Sequence, residues 1–146
     1  MKVEDVMIVK DKFPVIKERF LFKEALDVMN EKKLGIACIV DEQNKLKGIL
    51  TDGDVRRKLL KAQKPLSALF VDDCLEHAIV SPIFVNPDTD LTYALQLMEE
   101  KQIWDLPVLD INGKLAGLLH LHSVVKVLLN LKNLKKFLSQ IKFQSY

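Results

Sequence analysis

Apolar positions along this chain follow two rhythms that alternate and then return. Phe22, Ala25, Leu26 and Met29 recur at helical spacing, which predicts a helix over residues 22–32 with one apolar face. Residues 36–40, Ile-Ala-Cys-Ile-Val, form an unbroken apolar run between turn residues, the pattern of a strand buried on both faces. Residues 13–16 precede this series as a short extended piece. A turn at 41–44, a strand over 46–50 and a helix that begins within 51–54 and runs to about residue 61 complete it.

The second half runs through the same order: strand 83–85, helix 91–101, strand 106–109, turn 110–113, strand 115–119 and a helix from Ser123. Asn112-Gly113 marks the turn because both residues tolerate positive φ. Sliding the chain by 69 positions lays one half on the other without a gap: Ala25-Leu26 on Ala94-Leu95, Met29 on Met98, Asp41 on Asp110, Gly48 on Gly117 and Leu50 on Leu119. The chain is a duplicated β-α-β-β-α unit. One such unit cannot cover both its sheet and its helices. The expected fold is therefore α/β (α+β), two repeats packed with pseudo-two-fold symmetry around two equivalent clefts of the kind that take small ligands. The organisation expected is residues 1–61 as first repeat, 62–82 as linker with a short helix near 66–70, 83–131 as second repeat, and 132–146 as an amphipathic tail.

Composition narrows the function. The chain is 49% hydrophobic with a net charge of +2, which excludes a disordered segment and gives no broad basic face for nucleic acid. Cys38 sits inside an apolar run and Cys74 is remote from it, so two reduced thiols are expected rather than a metal or redox motif. No apolar stretch approaches the roughly 20 residues that cross a bilayer, and the first residues lack a signal-peptide core. A cytoplasmic protein is expected. No nucleophile–base pair or phosphate loop is present, so no catalytic residue is assigned.

Two strings carry a resemblance. Leu106-Pro107-Val108-Leu109-Asp110 followed by a turn, and Gly48-Ile49-Leu50-Thr51-Asp52-Gly53-Asp54, resemble the cystathionine-β-synthase (CBS) domain, in register in both repeats over residues 3–131. Thr51-Asp52-Gly53-Asp54-Val55-Arg56-Arg57, taken with Leu119-His120-Leu121-His122, further resembles the C-terminal CBS pair of arabinose-5-phosphate isomerases, which make the precursor of the acidic sugar Kdo. The first string alone also resembles the CBS pairs of sugar-nucleotide transferases. The resemblance implies a regulatory pair that binds a nucleotide-type effector: AMP, ATP or, from the pathway, CMP-Kdo. It also implies a homodimer and, in a longer chain, a catalytic sugar-isomerase (SIS) domain for which 146 residues leave no room. The alternative from another class is a structural dimerisation module with empty clefts.

By that resemblance Thr51 contacts a phosphate and Asp54 accepts hydrogen bonds from ribose hydroxyls, while Gly48 allows close backbone approach. Thr-X-X-Asp ahead of an apolar run is equally a helix capping box, and both roles can coexist. Arg57, one helical turn from Asp54, is either an arm for an anionic ligand or an ion-pair partner of Asp54. His120 and His122 lie two apart at a strand end, a spacing that projects both from one strand face. The resemblance implies hydrogen bonding to a nucleotide or sugar acid, and polar residues at a strand-to-helix junction are an equal reading. The two histidines lack a nearby third ligand, so no metal site is expected. His120 and Ser123 stand where the first repeat has Thr51 and Asp54, so the clefts are expected to be unequal, with the Asp54 cleft the better nucleotide site. Trp104 is expected between the repeats. Leu131, Leu134, Leu138 and Ile141 share a helical face, with Lys132, Lys135, Lys136 and Lys142 around the others. Such a tail can lengthen the last helix, dock on a partner or touch an anionic membrane, and packing in its own dimer is preferred.

Overall fold

A computed structural model describes residues 1–141, so Lys142 and Tyr146 of the tail lie outside the described residues. The first unit runs β1 (Val15–Lys17), α1 (Phe22–Lys32), β2 (Ile36–Val40), β3 (Leu46–Thr51) and α2 (Asp52–Lys61). After α3 (Leu66–Phe70), the second runs α4 (Leu91–Lys101), β4 (Asp105–Leu109), β5 (Leu115–His120) and α5 (Leu121–Leu128), followed by α6 (Leu131–Gln140). None of these helices is long and apolar enough to cross a membrane.

The duplication holds at the level of backbone detail. β2 pairs antiparallel with β3 and β4 with β5, with Ile36 opposite Thr51 and Asp105 opposite His120. Both hairpins shift register at the same place, between Ile39 and Val40 and between Val108 and Leu109. Lys33 (φ 56°) and Gln102 (φ 53°) end α1 and α4 in the left-handed conformation, as Asn44 (φ 65°) and Gly113 (φ 78°) do in the hairpin turns. Asn44 tolerates this conformation because its short side chain bonds locally and, here, its Nδ2 also donates to Leu115 O at 3.1 Å.

Two places depart from the expected elements. Residues 83–85 form no strand; Val85 alone bridges Val108, donating to Pro107 O at 3.1 Å and accepting from Leu109 N–H at 2.9 Å. The ladder stops there because the side chain of Asn86 takes Leu109 O at 2.8 Å and Pro87 has no N–H to continue it. The last helix of the second repeat starts at Leu121 rather than Ser123. Leu121 N–H bonds Trp104 O at 2.9 Å just as Asp52 N–H bonds Gly35 O at 3.0 Å, so both helices leave their strands at once.

Segments outside each hairpin finish the other's neighbours. Ile8 bridges Leu118, and Val3 and Val6 are buried with Val85, Leu91, Leu106 and Leu119, so the chain's first residues complete the second core. The connecting segment does the same for the first: Ile79 bridges Ile49, while Leu69 and Cys74 are buried against Phe22, Ala25 and Leu50. Between the units lies a third cluster containing Phe13, Ile36, Cys38, Leu109, Leu115 and Leu118, and the hairpins touch edge to edge through a Lys45–Lys114 bridge. Each fully buried Leu, Ile or Phe contributes about 1.5–3 kcal/mol by leaving water, which is why the halves stay together. The pattern at 36–40 is as expected: all of β2 is buried.

Trp104 does not pack between the repeats. It is 70% exposed, at the position just before β4. The tail neither lengthens α5 nor stands free. α6 is a separate helix that folds back on the second core, burying Phe137, and Asn130 caps it by accepting Lys132 N–H at 3.2 Å.

Candidate functional site

The junction of β3 and α2 gathers the first-repeat candidates. Thr51 ends the strand in extended conformation and caps α2, its Oγ1 accepting Asp54 N–H at 3.2 Å. The same hydroxyl donates to Asp54 Oδ2 at 2.6 Å, and Arg57 Nη2 donates to Asp54 Oδ1 at 2.9 Å. The cap and the ion pair are therefore both formed. Asp54 is only 16% exposed, a carboxylate held in one orientation by two partners, whereas Arg57 is 55% exposed and can swing. Two acids in the first turn, Asp52 and Asp54, sit at the positive end of the helix dipole.

The neighbouring cleft, about 390 Å³, is lined by Met29, Asn30, Lys33, Gly35 and Asp52 among others. A Cβ on Gly35 would lie 2.6 Å from Asp52 Oδ2, so the exposed Asp52 carboxylate would have to turn aside. Gly48 permits a close approach, but the group that approaches is Ile79 O, 2.9 Å from the position of a Cβ. Ile49 and Ile79 exchange backbone hydrogen bonds of 2.9 and 2.8 Å across it.

The second junction has different chemistry. His120 caps nothing, and no acid lies in the first turn of α5. Its ring Nδ1 instead donates to Asp105 Oδ1 at 2.6 Å. Burial pushes the Asp105 carboxyl above its ordinary value; nearby His120 opposes the shift and Asp52, from the other unit, adds to it. Strand pairing explains the couple, since Asp105 and His120 occupy the places of Ile36 and Thr51. Both were visible in the sequence, but Asp105 carries meaning only once the register is known. His122 sits on α5 and not on the strand, so it does not share a strand face with His120; their rings lie 6.3 Å apart. Ser123 follows in the same first turn. Trp104 and Leu121 stand where the first unit has Gly35 and Asp52, which makes the two clefts unequal beyond the change at Thr51 and Asp54.

Among the described residues, Asp72, Glu76 and His77 bring ligand atoms within 4.8 Å of one another. Lys64 Nζ already lies 2.6 Å from Asp72 Oδ2, and His77 Nε2 lies 2.9 Å from the same oxygen. Hydrogen bonds from Lys64 and His77 hold the Asp72 carboxyl below its usual range.

The geometry is that of a tandem pair of small sheet-and-helix repeats, each with polar side chains gathered where a strand passes into a helix. The family model of the CBS domain matches residues 3–61 and 75–130, and the chain belongs to this family, carrying the domain twice. An uncharacterized protein of Helicobacter pylori strain 26695 is 38% identical over 128 residues, spanning 87% of this chain and 37% of its own. The arabinose 5-phosphate isomerase KdsD of Pseudomonas aeruginosa is 32% identical over 126 residues, 86% of this chain and 37% of its own. The chain thus spans about two fifths of the length of these relatives. Among solved structures, that of CBSX2 in complex with AMP has a TM-score of 0.79 at 30% identity, covering 90% of this chain and 98% of that one.

Proposed function

We propose that this CBS pair is a cytoplasmic regulatory module that binds a nucleotide-type effector at the Thr51–Asp54–Arg57 junction and belongs to an arabinose-5-phosphate isomerase-like protein of Kdo biosynthesis. The observation that carries it is Asp54: a largely buried carboxylate, oriented by Thr51 and Arg57, whose oxygens keep lone pairs for two ribose hydroxyls. Charge-assisted hydrogen bonds of this kind contribute about 1.5–3 kcal/mol each. Thr51 and Arg57 offer a hydroxyl and a guanidinium to a phosphate beside the first turn of α2. His120, His122 and Ser123 form the weaker second site, for an acid group rather than a ribose. The AMP complex of CBSX2 supports a nucleotide ligand, and the isomerase relative supports the parent protein. In such a parent the pair would act by linkage: an effector that prefers one arrangement of the repeats biases an attached SIS domain.

A homodimer through the helical faces accords with exposed Leu60 and Val71 near α2 and α3 and Leu129 after α5. Titration calorimetry with AMP, ATP, CMP and CMP-Kdo tests the effector. One of them is expected to bind below millimolar, and Asp54→Ala to abolish it. If none binds and Asp54→Ala changes nothing, the module is a structural dimerisation unit instead.

A further inference from the structure

We infer that Arg57 is a latch on the Asp54 site: it holds the carboxylate while the site is empty and is transferred to the phosphate when a nucleotide enters. The inference rests on the ribose-binding role of Asp54 above and adds what the ligand must carry. Three observations place the guanidinium. It is bonded to Asp54 Oδ1 at 2.9 Å. It lies flat against Gly53, where a Cβ would stand 3.0 Å from Nη2, 3.2 Å from Nη1 and 3.4 Å from Cζ. Arg57 is nevertheless 55% exposed, and among the described residues its hydrogen-bond partner is Asp54.

Helix geometry explains the seat. Side chains lean towards the N-terminus, so residue 57 covers residue 53 one turn earlier. With glycine at 53 the guanidinium rests close to the backbone, where a Cβ would make it shift by a few tenths of an ångström. In the empty site both Asp54 oxygens are engaged by the chain itself, Oδ2 by Thr51 and Oδ1 by Arg57. A ribose hydroxyl that approaches Oδ1 along the direction Arg57 now occupies displaces the guanidinium. A nucleoside loses that ion pair without replacement. A nucleotide supplies a phosphate at the helix N-terminus, which the freed guanidinium grips with two parallel hydrogen bonds. The exchange makes the site selective for phosphorylated ligands.

Calorimetry with AMP against adenosine, and CMP against cytidine, tests this on the wild type, Arg57→Gln, Gly53→Ala and Asp54→Ala, with circular dichroism to confirm folding. Arg57→Gln is expected to weaken the nucleotide about tenfold while tightening the nucleoside, which no longer has an ion pair to break. Gly53→Ala, which shifts the guanidinium on its seat but keeps it, is expected to tighten the nucleoside and preserve the preference for phosphate. Opposite signs for nucleotide and nucleoside are a signature that a merely structural Arg57 does not produce. Weakening of both, no change in either, or a weaker nucleotide with an unchanged nucleoside overturns the latch while Asp54→Ala still abolishes binding. If none of the four probes binds the wild type, the nucleotide role of Asp54 falls and the latch with it.

Discussion

Gly48 is where a single methyl group decides between two accounts of the first repeat. The motif suggests a glycine kept open for a ligand, whereas the structure seats the backbone of the connecting segment on it. In Gly48→Ala the new Cβ would stand 2.9 Å from Ile79 O and 3.3 Å from both Ala78 Cβ and Leu75 Cδ1. A backbone oxygen cannot turn aside as a side chain can, so residues 78–79 must retreat from β3. Overpacking of this kind costs about 1–3 kcal/mol. Loss of one or both Ile49–Ile79 hydrogen bonds adds about 0.5–1.5 kcal/mol each. The expected destabilisation is about 2–4 kcal/mol, a fall in Tm of roughly 5–15 °C for a chain of this size. Thermal and urea unfolding followed by circular dichroism measure it. Gly113→Ala serves as the comparison: it meets no atom within 4 Å and carries only the strain of φ 78°, about 1–2 kcal/mol. A Gly48→Ala protein that melts within about 1 °C of wild type while losing nucleotide affinity would refute the packing argument and restore the glycine to the ligand.

Other consequences can be checked alongside. Thr51→Ala removes the cap of α2 and should lower stability by about 1 kcal/mol in urea titrations, whereas Thr51→Ser should retain it. Leu119→Ala, at a side chain with no exposure, should cost about 2–5 kcal/mol, and Leu50→Ala in the paired position a similar amount. Burial raises the folded-state pKa of Asp105 above its ordinary 3.8; just above pH 4 the folded state then holds more protons than the unfolded one, so stability falls as pH rises through the folded pKa, by at most about 1.4 kcal/mol per unit. Asp105→Asn should remove that slope from the difference between the proteins in urea melts at successive pH values. Both thiols are buried; burial raises Cys38 and pushes Cys74 up to about 11. A thiol reagent at pH 8 should therefore label two cysteines promptly only after denaturant is added, and rapid labelling of the folded protein would contradict the placement of both.

The duplication, the order of elements and the bounds of most helices could be read directly from the chain. Each rests on interactions between near neighbours: helical spacing at Phe22, Ala25 and Met29, a wholly apolar β2, and turn residues at 44 and 113 that accept positive φ. The candidate pair Thr51 and Asp54 was legible for the same reason, since a cap and its acid lie three residues apart. What lay beyond the sequence was long-range. Gly48 answers to Ile79, the first residues of the chain finish the core of the second repeat, Trp104 faces solvent, and α6 returns to bury Phe137. Asp105 and His120, fifteen positions apart, become a hydrogen-bonded pair only because β4 and β5 run antiparallel in one register. Periodicity reports which face of an element seeks burial. It carries no record of which distant segment will cover that face, because the apolar attraction that closes a core is non-directional, and only the packed structure selects the partner.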